Sequence, residues 1–200
     1  MDRGYLNARL LFRLGLFLPG SGLGPQDGRT GVTLSGTVRT PEKATALAAA
    51  ADHIHLFDGT APGPSPGPDL RAASHVVLSI APGPDGDPAL QHRADLDAAT
   101  NLQWLCYYST IGVYGDFGGN WIDETAPLVP RNERSDRRVL AEQARRDYAR
   151  ERSVPLTILR LAGIYGPGRS AFDKLRDGSA HRIVKPGRCS IASMLPISGA

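Results

Sequence analysis

The chain has 200 residues, 23 Lys and Arg against 20 Asp and Glu, and 41% apolar residues, which suits one domain with a real core. A net charge of +3, with basic and acidic residues interspersed, excludes a dedicated nucleic-acid binder or an anionic-membrane anchor. Two cysteines, Cys106 and Cys189, are too few for a disulfide framework or a zinc site, and no metal is expected.

Residues 1–31 show no sustained helical or strand period. Leu10–Leu18 is an apolar run interrupted by Arg13, and residues 19–31 are Gly- and Pro-rich. Val32–Val38 alternates like a strand, and Pro41–Ala51 is an Ala-rich helix with Thr40 as N-cap. His53–Phe57 is a short strand, Ala61–Pro68 a stiff loop, and His75–Ile80 an apolar strand. Pro88–Ala99 forms a helix and Trp104–Tyr108 another apolar strand, with Cys106 as a small buried hydrophobe. A loop runs to Pro130. Asn132–Arg152 is a long helix with Leu140, Ala141, Ala144 and Tyr148 on its apolar face. Leu156–Leu161 is the last strand before a Gly-rich loop. Strands alternating with helices predict an α/β fold, a parallel sheet covered by helices on both faces.

In such a sheet, ligands bind outside the carboxyl ends of the strands. After the first regular strand, Thr37 and Arg39 stand where a dinucleotide ribose would lie. Arg39 suits a 2′-phosphate, favouring NADP over NAD, or is simply a solvated charge. Asp58 fits either the adenine amino group or an Asp-Gly turn. Ser79 ends the next strand. Ser109 and Thr110 bring hydroxyls to the following tip. Ala162 and Gly163 end the last strand, where small residues let backbone approach a flat ring. In the loop 115–130, Trp121 either stacks on a substrate ring or anchors the loop.

Four segments carry a family likeness in order and spacing: YYSTIGVYGD, DETAP, the R-x-x-x-R of Arg134 and Arg138 with Ala141-Glu142-Gln143, and LRLAGIYGPGR. Over Val32–Gly187 the chain resembles the extended short-chain dehydrogenase/reductases, the NAD-dependent epimerase/dehydratase family, and within them an atypical branch. The resemblance implies a doubly wound Rossmann-like sheet with a smaller C-terminal substrate part, and NADP or NAD as cofactor. It implies a small-molecule substrate such as a nucleotide sugar, and a homodimer through the long helix. The family's catalytic set is Ser/Thr, Tyr and Lys, where Tyr is the acid/base and Lys holds the nicotinamide ribose. Thr110 falls at the Ser/Thr position. The Tyr and Lys positions fall on Arg134 and Arg138. Arg138 keeps the positive charge for the ribose. Arg134 cannot replace Tyr, because a guanidinium stays protonated and acid/base work needs a pKa near neutrality. Tyr114 and Tyr165 are the candidates to substitute.

The family opens with a strand and G-x-G-x-x-G, whose N–H groups hold the pyrophosphate. Here Gly20-Ser21-Gly22-Leu23-Gly24 lacks that strand–turn–helix context. RLGLFLPGSGL (13–23) can be written in codons whose shifted frame reads FGLGYSSRALA, and CSIASMLPISG (189–199) in codons that give VFNRIHVADIG. Both strings match the family at those places, so the ends read as frameshifted; the alternative is a divergent member with its own termini. The expected organisation is an irregular segment 1–31, a dinucleotide-binding domain 32–187 and an irregular tail 188–200. The first strand and glycine turn are expected to be degraded, with Leu10–Leu18 filling part of that slot, and the substrate part truncated. Dinucleotide binding is then weak. With no apolar stretch of about 18 residues, the expected location is cytoplasmic. The readings are an NAD(P)-dependent oxidoreductase or epimerase, a non-catalytic dinucleotide-binding module, or an inactive product.

Overall fold

The computed structural model describes residues 10–14, 33–49, 51–59, 66–165, 170–180 and 192–194. The elements are β1 (Leu10–Leu14), β2 (Thr33–Val38), α1 (Pro41–Ala46), β3 (His53–Leu56), α2 (Gly67–Ala72), β4 (His75–Leu78), α3 (Arg93–Asp97) and β5 (Trp104–Thr110). They continue with α4 (Glu133–Glu151), β6 (Leu156–Leu161), β7 (Gly163–Tyr165), α5 (Ala171–Arg176) and β8 (Ala192–Met194). Six strands form one parallel sheet in the order β3-β2-β1-β4-β5-β6, and β7 pairs with β8 separately. That order is the doubly wound one, with its reversal point between β1 and β4.

The strand expected to be degraded is present as five residues. The backbone of β1 pairs in parallel with β2 on one side, Leu11 opposite Leu34, and with β4 on the other, Leu11 opposite His75. Inner strands of parallel sheets in general select for near-continuous apolar sequence rather than alternation, and the LLFRL of β1 does not alternate. The glycine-rich turn, residues 15–32, lies outside the described residues. So do 166–169 and, apart from the backbone of β8, the tail from Cys189.

The regular elements form for local reasons. Thr40 caps α1 by accepting from the Lys43 N–H, with Pro41 in the first turn. α1 stops at Ala46 rather than Ala51, because the chain turns to enter β3. The Asp52 carboxylate accepts from Leu34 N–H at 2.7 Å while Asp52 N–H donates to the Leu34 carbonyl. α2 begins at Gly67, inside the stretch read as loop; Pro68 there occupies the first helical turn, where its missing N–H costs nothing. The helix expected over 88–99 is a 3-10 turn, Pro88–His92, running into α3; Asp87 caps it through the Ala89 N–H. β5 continues past Tyr108, because its pairing with β6 extends through Ser109 opposite Arg160 and Thr110 opposite Leu161.

The core joins Leu70 of α2, Val76 and Leu78 of β4, Leu96 of α3, Leu105 and Tyr107 of β5, and Ala141, Tyr148 and Ala149 of α4. A smaller cluster packs Leu47 and Ile54 on Leu34 and Ala51. The inward stripe of α4 differs from the expected one. Leu140 is 69% exposed, while Glu142 and Arg145 are buried beside Ala141 and Tyr148. The helical period is kept, but polar partners on β5 and β6 allow charged side chains to occupy it.

Candidate functional site

The site is built where the tip of β5 meets the first turns of α4. Asn132 caps α4 by accepting from the Ser135 N–H at 3.0 Å. Thr110 closes β5, and its Oγ1 accepts from the Gly112 N–H at 3.2 Å, starting a 3-10 turn over Ile111–Val113. Gly112 and Ser135 pack so closely that a Cβ on Gly112 would stand 3.1 Å from the Ser135 hydroxyl. One turn along the helix, Arg138 Nη1 donates to the Tyr108 carbonyl at 2.7 Å and to the Tyr107 hydroxyl at 3.1 Å. Thr110 is therefore bracketed by two contacts to α4, and Arg138 is fixed beside it.

Side chains alternate along a strand, so Thr110 and Ser109 face opposite ways. Ser109 is buried, and its Oγ donates to Glu142 Oε1 at 2.6 Å. Glu142 also takes Arg160 Nη2 at 2.8 Å and Arg146 Nη2 at 3.0 Å. Arg160 Nη1 donates to the Tyr114 hydroxyl at 2.6 Å, and its guanidinium lies 4.7 Å from that ring centre. Burial pushes the Glu142 carboxyl up, but the Arg160 guanidinium, the Ser109 hydroxyl and Arg146 outweigh it and hold the group below the usual carboxylate range. Hydrogen bonding to Glu142 likewise raises the Arg160 pKa, against the effect of burial. Deeper along α4, buried Arg145 pairs with Asp87 at 2.6 Å and stacks 3.4 Å from the centre of the Tyr107 ring.

The other expected residues are at the carboxyl ends of their strands. Thr37 is buried within β2, and Arg39 is exposed just beyond it. Asp58 follows β3, and Ser79 follows β4. Ala162 links β6 to β7, which Gly163 begins. The sheet thus brings Thr37, Arg39, Asp58, Ser79, Thr110, Arg138, Ala162 and Gly163 to one edge, whereas Ser109 turns its hydroxyl inward beneath α4. Tyr114 is held by Arg160 in the buried network, and the side chain of Tyr165 lies outside the described residues. Tyr107, the buried charges of α4 and Arg160 were not singled out as site residues. Tyr107, Glu142 and Arg160 lie inside the motif segments, which is their signal; for Arg145 the signal is a charged residue on the inward period of a helix.

Two other polar features lie away from this edge. Ser35, His53 and His55 all converge on Asp69 Oδ2, at 2.7, 2.8 and 2.8 Å. Burial raises the Asp69 carboxyl, and these three donors together lower it below its ordinary value. This cluster ties β2, β3 and α2 together. A cavity of about 700 Å³ lined by Arg146, Ala149, Val154, Leu156 and Ile158 opens at the start of β6, opposite the strand tips.

Residues 94–185 match the NAD dependent epimerase/dehydratase family. This stretch contains Thr110, Arg138 and the β5–α4 junction, so the family read from the motifs is the one found. No curated protein matches the chain. Among solved structures, a functionally unknown conserved protein from Silicibacter pomeroyi DSS is 36% identical with a TM-score of 0.75, over 93% of this chain and 64% of its own. UDP-glucuronic acid 4-epimerase from Bacillus cereus, in complex with NAD, is 18% identical with a TM-score of 0.61, over 84% of this chain and 64% of its own. UDP-N-acetylglucosamine 4-epimerase from Bacillus cereus is 21% identical with a TM-score of 0.52, over 80% and 57%. These epimerases share the fold. The chain spans less than two thirds of each of the three structures. Among the described residues, no helix is long and apolar enough to cross a membrane.

Proposed function

We propose that this chain is the dinucleotide-binding part of an NAD(P)-dependent oxidoreductase or epimerase of the extended short-chain type. The observation that carries this reading is the strand order, which gathers Arg39, Asp58, Ser79, Thr110 and Arg138 along one edge beside the β1–β4 reversal. The donor set suits a nicotinamide dinucleotide: a guanidinium beyond β2 for a ribose 2′-phosphate, a carboxylate beyond β3 for an adenine amino group, and a fixed guanidinium beside Thr110 for the nicotinamide ribose. The bound cofactor supplies hydride chemistry; the chain's part is binding and orientation. Thr110 hydrogen-bonds the substrate oxygen, and Tyr107 and the Tyr108 carbonyl keep Arg138 in place. Arg39 favours NADP over NAD. The substrate class is a small molecule, with a nucleotide sugar as the first to try. The exposed Leu140 on α4 suits a homodimer contact, tested by sedimentation.

A second reading, a non-catalytic dinucleotide-binding module, is favoured by one fact. The motif count sets the family's Tyr position on Arg134, and the Tyr114 hydroxyl accepts from Arg160. Fluorescence titration with NADPH and NADH tests both readings. Saturable binding, with Arg39→Asp shifting preference toward NADH, supports them; no saturable binding of either dinucleotide refutes both. Hydride transfer followed at the nicotinamide absorbance then separates enzyme from module.

A further inference from the structure

Tyr107 is fully buried, and two guanidinium groups of α4 reach it. Arg138 and Arg145 stand two helical turns apart, so they share one face of the helix. Arg138 Nη1 donates to the Tyr107 hydroxyl at 3.1 Å and to the Tyr108 carbonyl at 2.7 Å. The Arg145 guanidinium lies over the Tyr107 ring, 3.4 Å from its centre. The ring thus meets one guanidinium at its hydroxyl and the other on its face.

Arg145 is itself fixed. Its side chain is 1% exposed and that of Asp87 is 3% exposed. Arg145 Nη2 donates to Asp87 Oδ1 at 2.7 Å, and Nε stands 2.6 Å from Oδ2. Asp87 Oδ1 also accepts from the Ala89 N–H at 3.0 Å, so the carboxylate is held by its own 3-10 turn as well. Arg145 Nη1 has no hydrogen-bond partner among the described residues. The π face of Tyr107 is what this charge meets instead. A buried ion pair adds little net stability compared with apolar residues of the same volume. What this pair adds is orientation: a flat cation, anchored at one end, that keeps the ring from tilting.

We infer that Asp87 and Arg145 are positioning residues, which hold Arg138 in place through the Tyr107 ring. The contacts run from Asp87 through Arg145 and Tyr107 to Arg138, and end at the Tyr108 carbonyl, just before Ser109 and Thr110. They tie the loop that leaves β4 to the β5–α4 junction. The consequence for binding rests on the proposed function, which assigns Arg138 to the nicotinamide ribose. On that assignment Asp87 and Arg145 act on the nicotinamide half of the dinucleotide, and only through Arg138.

Two measurements on the full chain test this: NMR of the arginine guanidinium groups, and titration with NADPH and with adenosine 2′,5′-bisphosphate, which lacks the nicotinamide ribose. In wild type the Arg138 guanidinium should show separate, slowly exchanging N–H signals. They should average in Tyr107→Phe, which removes the hydroxyl, and in Arg145→Lys, which keeps the charge and loses the plane. Asp87→Asn keeps the Ala89 cap and loses the charge; it should have the same effect in part, and decides the matter if the lysine variant does not fold. Tyr148→Phe is the control, buried on the same helix with Arg93 5.3 Å from its ring centre. It should lose stability and leave the Arg138 signals separate. Arg145→Lys should weaken NADPH about tenfold, what one well-placed charged hydrogen bond contributes, and leave the bisphosphate unchanged. In an Arg138→Gln background it should weaken NADPH no further. Arg138 signals already averaged in wild type, or separate in both Arg145→Lys and Asp87→Asn, overturn the proposal. So does equal weakening of the two ligands, or a full further loss in the Arg138→Gln background. If wild type binds no NADPH, the proposed function fails, and averaging of the Arg138 signals in the variants still supports the positioning role. NADPH binding with Arg138 signals and affinity unmoved by Arg145→Lys sinks the positioning role alone.

Discussion

The Ser109 hydroxyl lies 2.6 Å from Glu142 Oε1, and both residues are buried. The residue next to Thr110 is therefore suspended from the middle of α4. Arg160 extends the link to β6 and, through the Tyr114 hydroxyl and the Glu124 carbonyl at 3.2 Å, to the loop after β5. One carboxylate thus coordinates the positions of a strand tip, a helix and a loop. Removing Glu142 takes the carboxylate from the half-buried Arg160, whereas removing Arg160 leaves buried Glu142 with Arg146 and Ser109 alone.

Glu142→Ala should cost about 3–5 kcal/mol of stability, the usual price of breaking a buried ion pair on one side. Glu142→Gln, which keeps an acceptor for Ser109, should cost less. Urea unfolding measures both. A loss under about 1 kcal/mol for the alanine variant would show that the network is not a structural tie.

The same groups set an acid limit. Glu142 and Asp69 are held below their ordinary values of 4.5 and 3.8. The folded state therefore binds their protons less readily than the unfolded chain does. Their contribution is fully present above the unfolded values and is lost as pH falls through the lower folded ones. The urea midpoint should be level near neutrality and fall below about pH 4.5. Glu142→Gln should remove part of that slope. A midpoint that stays level to pH 3 would contradict these assignments.

Gly115 has φ +79°, and a Cβ there would stand 2.1 Å from the Val129 carbonyl oxygen. Backbone cannot yield as a flexible side chain does. Gly115→Ala should cost more than the roughly 1–3 kcal/mol of the backbone conformation alone. Gly118, at φ +63° with nothing within 4 Å of a Cβ, is the control and should lose less. Thermal melts compare them, and equal losses would show that the contact with Val129 has no weight.

Trp121 is fully exposed, and the loop's base is held instead by Gly115 against Val129 and by the Asp116–Arg131 ion pair at 3.2 Å. The ring is thus not the anchor of its loop. Trp121→Ala should change stability by no more than about 0.5 kcal/mol. A larger loss in chemical unfolding would restore the anchoring role.

The shifted-frame reading of residues 13–23 and 189–199 is settled by the source DNA. Another frame should encode FGLGYSSRALA and VFNRIHVADIG across these segments. Codons that encode neither string would exclude it.

The sequence by itself showed the parallel α/β class and the likeness to the family that residues 94–185 match. These depend on short-range patterns: apolar runs, caps such as Thr40 and Asn132, and motif spacing along one chain. The tertiary structure narrowed the Leu10–Leu18 run, expected to fill part of the first-strand slot, to Leu10–Leu14 paired between β2 and β4. Only it turned Ser109 inward and buried Glu142 and Arg145 in place of Leu140. Those outcomes depend on which charges from β5, β6 and the loop near Asp87 meet the helix in space. A charged residue can be buried only where such partners arrive, and sequence distance does not reveal that meeting.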